Sequence, residues 1–365
     1  MRKMVMAAAL VVLGSVLLAQ SQPSQPSTKP ATWNFAVSGD SRNCGDVVMP
    51  AIAAGAAQGK AAFYWHLGDL RATYKIDEDY QQEPEHRGQP ADMALYLKSE
   101  WDDFIQSQIK PFRKMPFIVG IGNHEVVAPM TREMFIAQFA DWLNSSAQQK
   151  QRLADNPEDH RLKAYFHWIQ GGVDFIYLDN ATHDQFDADQ VRWFEDVVLR
   201  AAADSKVKSL VVGMHAALPD SLASGHSMND WDIGAESGRR VYLDLLDFQR
   251  STKKPVYILA SHSHFYMRGI YDSDAWQQNG GVLPGWITGT AGAVRYVLPP
   301  SASRAQEKRE NAYGFLLATV HQDGKIDFRF QEVQRPSIPA KVVERYTPEL
   351  VDWCFVGNTE VKKAK

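Results

Sequence analysis

The chain has 365 residues, 45% of them hydrophobic and 22% charged, with a formal net charge of -4 and a pI near 6.3. This is ordinary globular composition, long enough for one large domain with a well-buried core. The weakly acidic balance offers no basic field to hold a nucleic acid backbone, so no nucleic acid polymer is expected as a partner and a small substrate is favoured.

Residues 1–19 begin with Arg2 and Lys3 and continue as an acid-free apolar stretch, the layout of a secretory signal peptide. That stretch is shorter than the roughly 20 residues a spanning helix needs, so no stable membrane span is expected. Residues 20–31, rich in Ser, Gln and Pro, read as a linker that holds no core. A catalytic domain is expected over 32–335, then a tail over 336–365 that looks irregular and finally charged. The protein is therefore expected to be exported, periplasmic or extracellular. Its two cysteines, Cys44 and Cys354, either pair, tying the tail to the loop just after Asp40, or are unrelated buried thiols.

Within the domain, short apolar runs end in polar groups. Residues 33–38 read as a strand that stops at Gly39 and presents Asp40, Ser41 and Arg42. Residues 46–60 are Ala-rich and helix-compatible, provided Pro50 lies in the first turn. The strand 61–67 follows and ends in Gly68, Asp69, Leu70 and Arg71, completing a βαβ unit. Residues 75–91 are polar and contain Pro84 and Pro90, which predicts a loop or insertion; residues 93–110 read as a helix. The buried run 116–121 then ends in Gly122, Asn123, His124 and Glu125.

Residues 131–143 read as a helix whose Phe135, Phe139 and Trp142 face the core. Residues 164–169 and 173–179 form a predicted hairpin around Gly171 and Gly172, and 190–203 a helix burying Val191, Phe194 and Val198. Strand 209–214 ends in His215, and strand 255–260 in Ser261, His262, Ser263 and His264. Between them 219–238 is a polar insertion carrying His226. Strands return at 285–289, 313–320 and 325–333, with a turn at Asp323-Gly324.

Five of these runs are too short and too rich in β-branched or aromatic residues for a helix, and each is followed at once by a potential metal ligand. Oxygen donors from Asp40, Asp69 and Asn123, with nitrogen donors from His215, His262 and His264, suit two divalent or trivalent ions such as Mn, Fe or Zn. In this order the blocks resemble the calcineurin-like metallophosphoesterases, a family that includes the purple acid phosphatases. Its pattern is Asp-x-His, Gly-Asp, Gly-Asn-His-Asp/Glu, a lone His after a strand, and Gly-His-x-His. Residues 289–296 also resemble the glycine-rich loop that follows the last ligands in many members. The fold this implies is α/β, a two-sheet β-sandwich core flanked by helices.

The resemblance further implies a metal-dependent phosphatase or phosphodiesterase that hydrolyses phosphate mono- or diesters through a metal-bridging hydroxide. Asp69 would bridge the ions, Asn123, His215 and His262 would complete one site, and Asp40 with His264 would hold the other. His124 would stabilise the transition state or protonate the leaving oxygen, and Glu125 would orient it by accepting its other N–H. Arg42 departs from the pattern, because a guanidinium stays protonated and cannot replace the family's imidazole ligand. Arg42 and Arg71 either bind phosphoryl oxygens of the substrate or pair with nearby carboxylates. Tyr74 is a further candidate, as a tyrosinate ligand filling the gap. The alternative function is a catalytically weak member that binds a phosphorylated ligand with an incomplete first site. The loops 75–91 and 219–238 are expected to select the substrate, and His226 is the least certain of the remaining histidines.

Overall fold

The computed structural model describes residues 32–360, except 224. The expected signal peptide and linker lie outside the described residues. In chain order the strands are β1 (Trp33–Ser38), β2 (Ala61–His66), β3 (Phe117–Val119), β4 (Phe166–Gln170), β5 (Val173–Leu178) and β6 (Ser209–Met214). They continue with β7 (Val256–Ala260), β8 (Tyr266–Arg268), β9 (Gly285–Thr288), β10 (Glu307–Arg309), β11 (Tyr313–Val320) and β12 (Ile326–Val333). A five-stranded sheet has the order β12-β11-β1-β2-β3, and a seven-stranded sheet the order β10-β8-β9-β7-β6-β5-β4. The strands β1, β2 and β3 run parallel, as do β5, β6, β7 and β9, so their carboxyl ends collect at common edges.

The two sheets meet through large aromatic side chains. Phe35 of β1 stacks on Phe63 of β2 at 5.3 Å between ring centroids and meets Phe175 of β5 edge-on at 5.1 Å, while Phe175 stacks on Trp168 of β4 at 4.9 Å. Such pairs add about 0.5–1.5 kcal/mol each beyond the burial of their area. On its other face the larger sheet is covered by helices Ala188–Ala203 and Asp232–Thr252. Strands β5, β6 and β7 are buried along their whole length, which explains their unbroken apolar runs.

Several sequence expectations are corrected here. Helix Gly45–Gln58 keeps Pro50 inside its second turn rather than its first. The expected continuous helix over 93–110 is Met93–Phe104 followed by a wide π turn, Ile105–Ile109, and a 3-10 turn, Lys110–Phe112, that contains Pro111. That wide turn brings Gln108 within 2.9 Å of Asp46 and 3.4 Å of the Ser41 carbonyl, behind the Asp40 loop. The helix expected over 131–143 is broken into Arg132–Gln138 and Ala140–Leu143, with Phe135 and Phe139 buried.

The polar insertion 219–238 gives way after its midpoint to the long helix Asp232–Thr252, which buries Val241, Tyr242, Leu245 and Leu246. Its many charged residues conceal that stripe in the sequence. The tail is not irregular: Ala340–Tyr346 and Pro348–Val356 are helices. Cys354 in the second is bonded to Cys44, which directly precedes helix Gly45–Gln58. Among the described residues no helix is long and apolar enough to cross a membrane.

Candidate metal centre

Loops after β1, β2, β3, β6 and β7 deliver the candidate side chains to one place. Backbone hydrogen bonds lock these loops together: Asp40 N–H donates to Gly68 O at 3.0 Å, Ser261 N–H to His215 O at 2.9 Å, and Gly39 N–H to Thr288 O at 3.0 Å. Asp40, Asp69 and His262 all adopt left-handed backbone angles, with φ of 60°, 59° and 65°. For non-glycine residues that conformation is costly, and it concentrates where side chains must be aimed. Gly122 is required by close approach, since a Cβ there would lie 2.4 Å from Asp69 Oδ1 and 2.9 Å from His215.

Asp69, His215 and His262 form one convergent group. His215 presents its Nδ1 to Leu67 O at 3.0 Å. A proton on that nitrogen turns Nε2 toward Asn123 Oδ1 at 2.9 Å, Asp69 Oδ1 at 3.2 Å and His262 Nδ1 at 3.1 Å. Four lone-pair atoms thus face one another, and a single proton can bridge only one pair of them. Burial pushes the His215 imidazole down, but Asp69 outweighs it and holds the group up to about 10. The position therefore attracts positive charge. The donor chemistry, one carboxylate, one amide oxygen and two imidazoles, fits a borderline divalent cation.

Asp40, Asp69 and His264 form a second group that shares Asp69. His264 Nδ1 lies 2.7 Å from Val294 O, so its Nε2 points inward, 3.2 Å from Asp40 Oδ1. Asp40 Oδ1 and Asp69 Oδ2 are buried with no hydrogen-bond partner. Arg42, itself buried, enters this group: Nη2 is 3.0 Å from His264 Nε2, Nη1 is 2.5 Å from His124 Nε2, and Nε is 3.8 Å from Asp69 Oδ2. Burial opposes its charge, but Asp69 and Asp40 more than compensate and keep Arg42 protonated beyond the ordinary arginine range. His124 is seated by its Nδ1, 2.6 Å from Ala72 O, and by its backbone N–H donating to Asp69 Oδ1 at 3.1 Å. Burial, with Arg42 adding to it against Asp69, lowers the His124 imidazole to about 4.

The structure shows the carboxylate pairing of Arg71, one of the two readings left open, and changes two further expectations. Arg71 turns away from the centre into a fully buried acidic nest, 2.8 Å from Asp46 and 3.3 Å from Asp79, and it also bonds Asp103. Its guanidinium is already paired and does not face a substrate. Glu125 does not touch the imidazole of His124; its carboxylate accepts the backbone N–H groups of Gly122 at 2.6 Å, Leu70 at 2.8 Å and Asp69 at 2.9 Å. It therefore clamps the two ligand loops together. Loop 75–91 is in part scaffold: Asp77 accepts from the backbone of Asn43 at 2.7 Å and of Ala72 at 3.0 Å.

Tyr74 is 58% exposed, with its ring 5.2 Å from that of His124, at the mouth of the centre. His226 lies 5.3 Å from the His262 ring and stacks on Tyr296. Tyr296 also stacks on His264 at 4.0 Å and helps wall the site. Sequence reasoning did not single it out, although it closes the glycine-rich run 289–296. His66 bonds Ser41 Oγ at 3.0 Å and stays out of both donor groups.

No family model and no curated protein matches this sequence. Among solved structures the chain is similar to purple acid phosphatase PPD1 from yellow lupin (Lupinus luteus) seeds. The identity is 17% and the TM-score 0.55, covering 83% of this chain and 52% of that one. It is also similar to PhoD, at 14% identity and a TM-score of 0.50, covering 86% of this chain and 73% of that one. The chain thus spans about half the length of the lupin structure. The chain shares its fold with these two structures: two multi-stranded sheets flanked by helices.

Proposed function

We propose that the protein is an exported, metal-dependent phosphoesterase acting on a small phosphate mono- or diester. The observation that carries this reading is the convergence of Asp69, Asn123, His215 and His262 beside Arg42 and His124, at the carboxyl ends of strands from both sheets. A cation held by the four donors would supply Lewis acidity to a phosphoryl oxygen and lower the pKa of a bound water. The protein's own groups do the rest. Arg42 offers a permanent charge to the phosphoryl oxygens, and His124, anchored through Ala72 O, directs Nε2 to the same space. Asp69 belongs to both donor groups, which supports its role as a ligand carboxylate. The Cys44–Cys354 disulfide supports export, since such bonds persist in oxidising compartments.

The test is hydrolysis of p-nitrophenyl phosphate and bis(p-nitrophenyl) phosphate by protein stripped with chelator and reloaded with Mn, Fe or Zn. Turnover of at least one ester only after reloading is expected. Tight metal binding without turnover of either would favour instead a phosphate-ligand-binding member, a reading that the Arg42 contacts to His124 and His264 also support.

A further inference from the structure

The two donor groups differ in one respect. Among the described residues, no arginine or lysine nitrogen pairs with Asn123, His215, His262 or Asp69 Oδ1 in the first group. In the group of Asp40, Asp69 and His264 a guanidinium is already inserted. With Nδ1 of His264 committed to Val294 O, its Nε2 lone pair is the one a metal would need, and it accepts an N–H of Arg42 at 3.0 Å. The same guanidinium meets the inward lone pair of His124 and faces Asp69 Oδ2. Arg42 is held on three sides by groups that favour positive charge, and it is buried.

We propose that the guanidinium of Arg42 takes the place of one of the two ions, so that the protein binds a single metal ion at Asp69, Asn123, His215 and His262. This rests on the phosphoesterase reading and makes it specific. Arginine cannot act as a ligand, and an ion at Asp40 and His264 would have to displace a charged group that fits there already. A fixed cation beside a single ion still neutralises two sides of a phosphoryl group, and its planar fork suits paired phosphoryl oxygens better than a spherical ion does. Asp69 Oδ2, buried without a hydrogen bond, faces Arg42 Nε at 3.8 Å, so the guanidinium offsets its charge.

The experiment is metal stoichiometry by calorimetric titration of the chelator-stripped full chain with Zn, checked by elemental analysis, with no reliance on turnover. Wild type is expected to bind one ion per chain, and Arg42→His, which restores a nitrogen donor, two. Arg42→Ala in its singly loaded form is expected to bind inorganic phosphate roughly ten- to a hundredfold more weakly than wild type. Two ions bound by wild type at comparable affinity would overturn the proposal, and this holds even if neither variant folds. Phosphate affinity unchanged in a folded Arg42→Ala protein would overturn the charge-replacement role. One ion with no ester hydrolysis would sink the phosphoesterase reading while leaving the stoichiometry standing. Two ions with hydrolysis would do the reverse.

Discussion

The carboxylate of Asp69 faces His215, the backbone N–H of His124 and the Nε of Arg42, while its own backbone N–H is held by Glu125. Burial pushes its pKa up, yet His124, His215 and Arg42 together hold it well below the usual carboxylate range. It is therefore ionised and aimed before any substrate arrives. His124 depends on this setting without belonging to either donor group. Replacing it with alanine should lower kcat by about 10²- to 10⁴-fold in a metal-saturated assay while leaving bound metal unchanged. Loss of metal together with activity would mean that His124 shapes the ligands and not the reaction. Six side chains, Asp40, Asp69, Asn123, His215, His262 and His264, were legible as a group because each follows a short apolar strand. The direction taken by Arg71 was not, because its partners Asp46, Asp79 and Asp103 come from three separate helices, Gly45–Gln58, Glu78–Gln81 and Met93–Phe104. Nor could the sequence reveal that Glu125 serves backbone amides of two loops.

At the scale of elements, hairpin β4–β5 is joined to helix Ser146–Asp155 through His167. Its Nδ1 lies 2.8 Å from Asp174 and its Nε2 2.5 Å from Asp155. Burial pulls this imidazole down, but the two carboxylates outweigh it and raise it to about 9. Because the folded pKa lies above the unfolded value near 6.5, the stabilisation is fully present below about pH 6.5 and is lost as pH rises through about 9. It amounts to at most about 3 kcal/mol. Denaturant unfolding at a series of pH values should show wild type losing stability across that window and His167→Gln losing less; parallel curves would contradict the assignment. The hairpin itself was legible from the paired glycines between two β-rich runs. Helix Asp232–Thr252 and the two tail helices were not. Their burial depends on faces supplied by distant strands and loops, and their charged residues mask the apolar spacing.

For the whole molecule, the tail closes around the site it follows. Cys354 is bonded to Cys44, its carbonyl accepts the Tyr313 hydroxyl at 3.1 Å, and Asn358 donates to Gly292 O at 3.1 Å within the glycine-rich loop. The bond joins residues 310 positions apart, so it removes many open conformations of the unfolded chain. Reduction, or Cys354→Ser, should cost about 2–4 kcal/mol of stability, read as a lower Tm with and without reductant. An unchanged Tm would show that tail packing alone holds the segment. The α/β architecture followed from the order of strand-end motifs. The pairing of the cysteines did not, since spacing along the chain says nothing about distance in space. Most direct for the central claim is a comparison of p-nitrophenyl ester hydrolysis by wild type and His215→Ala at the same saturating metal concentration. Metal-dependent turnover is expected in wild type, with a loss in the variant exceeding the roughly 10- to 100-fold caused by removing a residue that only supports a ligand. Equal rates in the two proteins, or no turnover in wild type with metal bound, would contradict it.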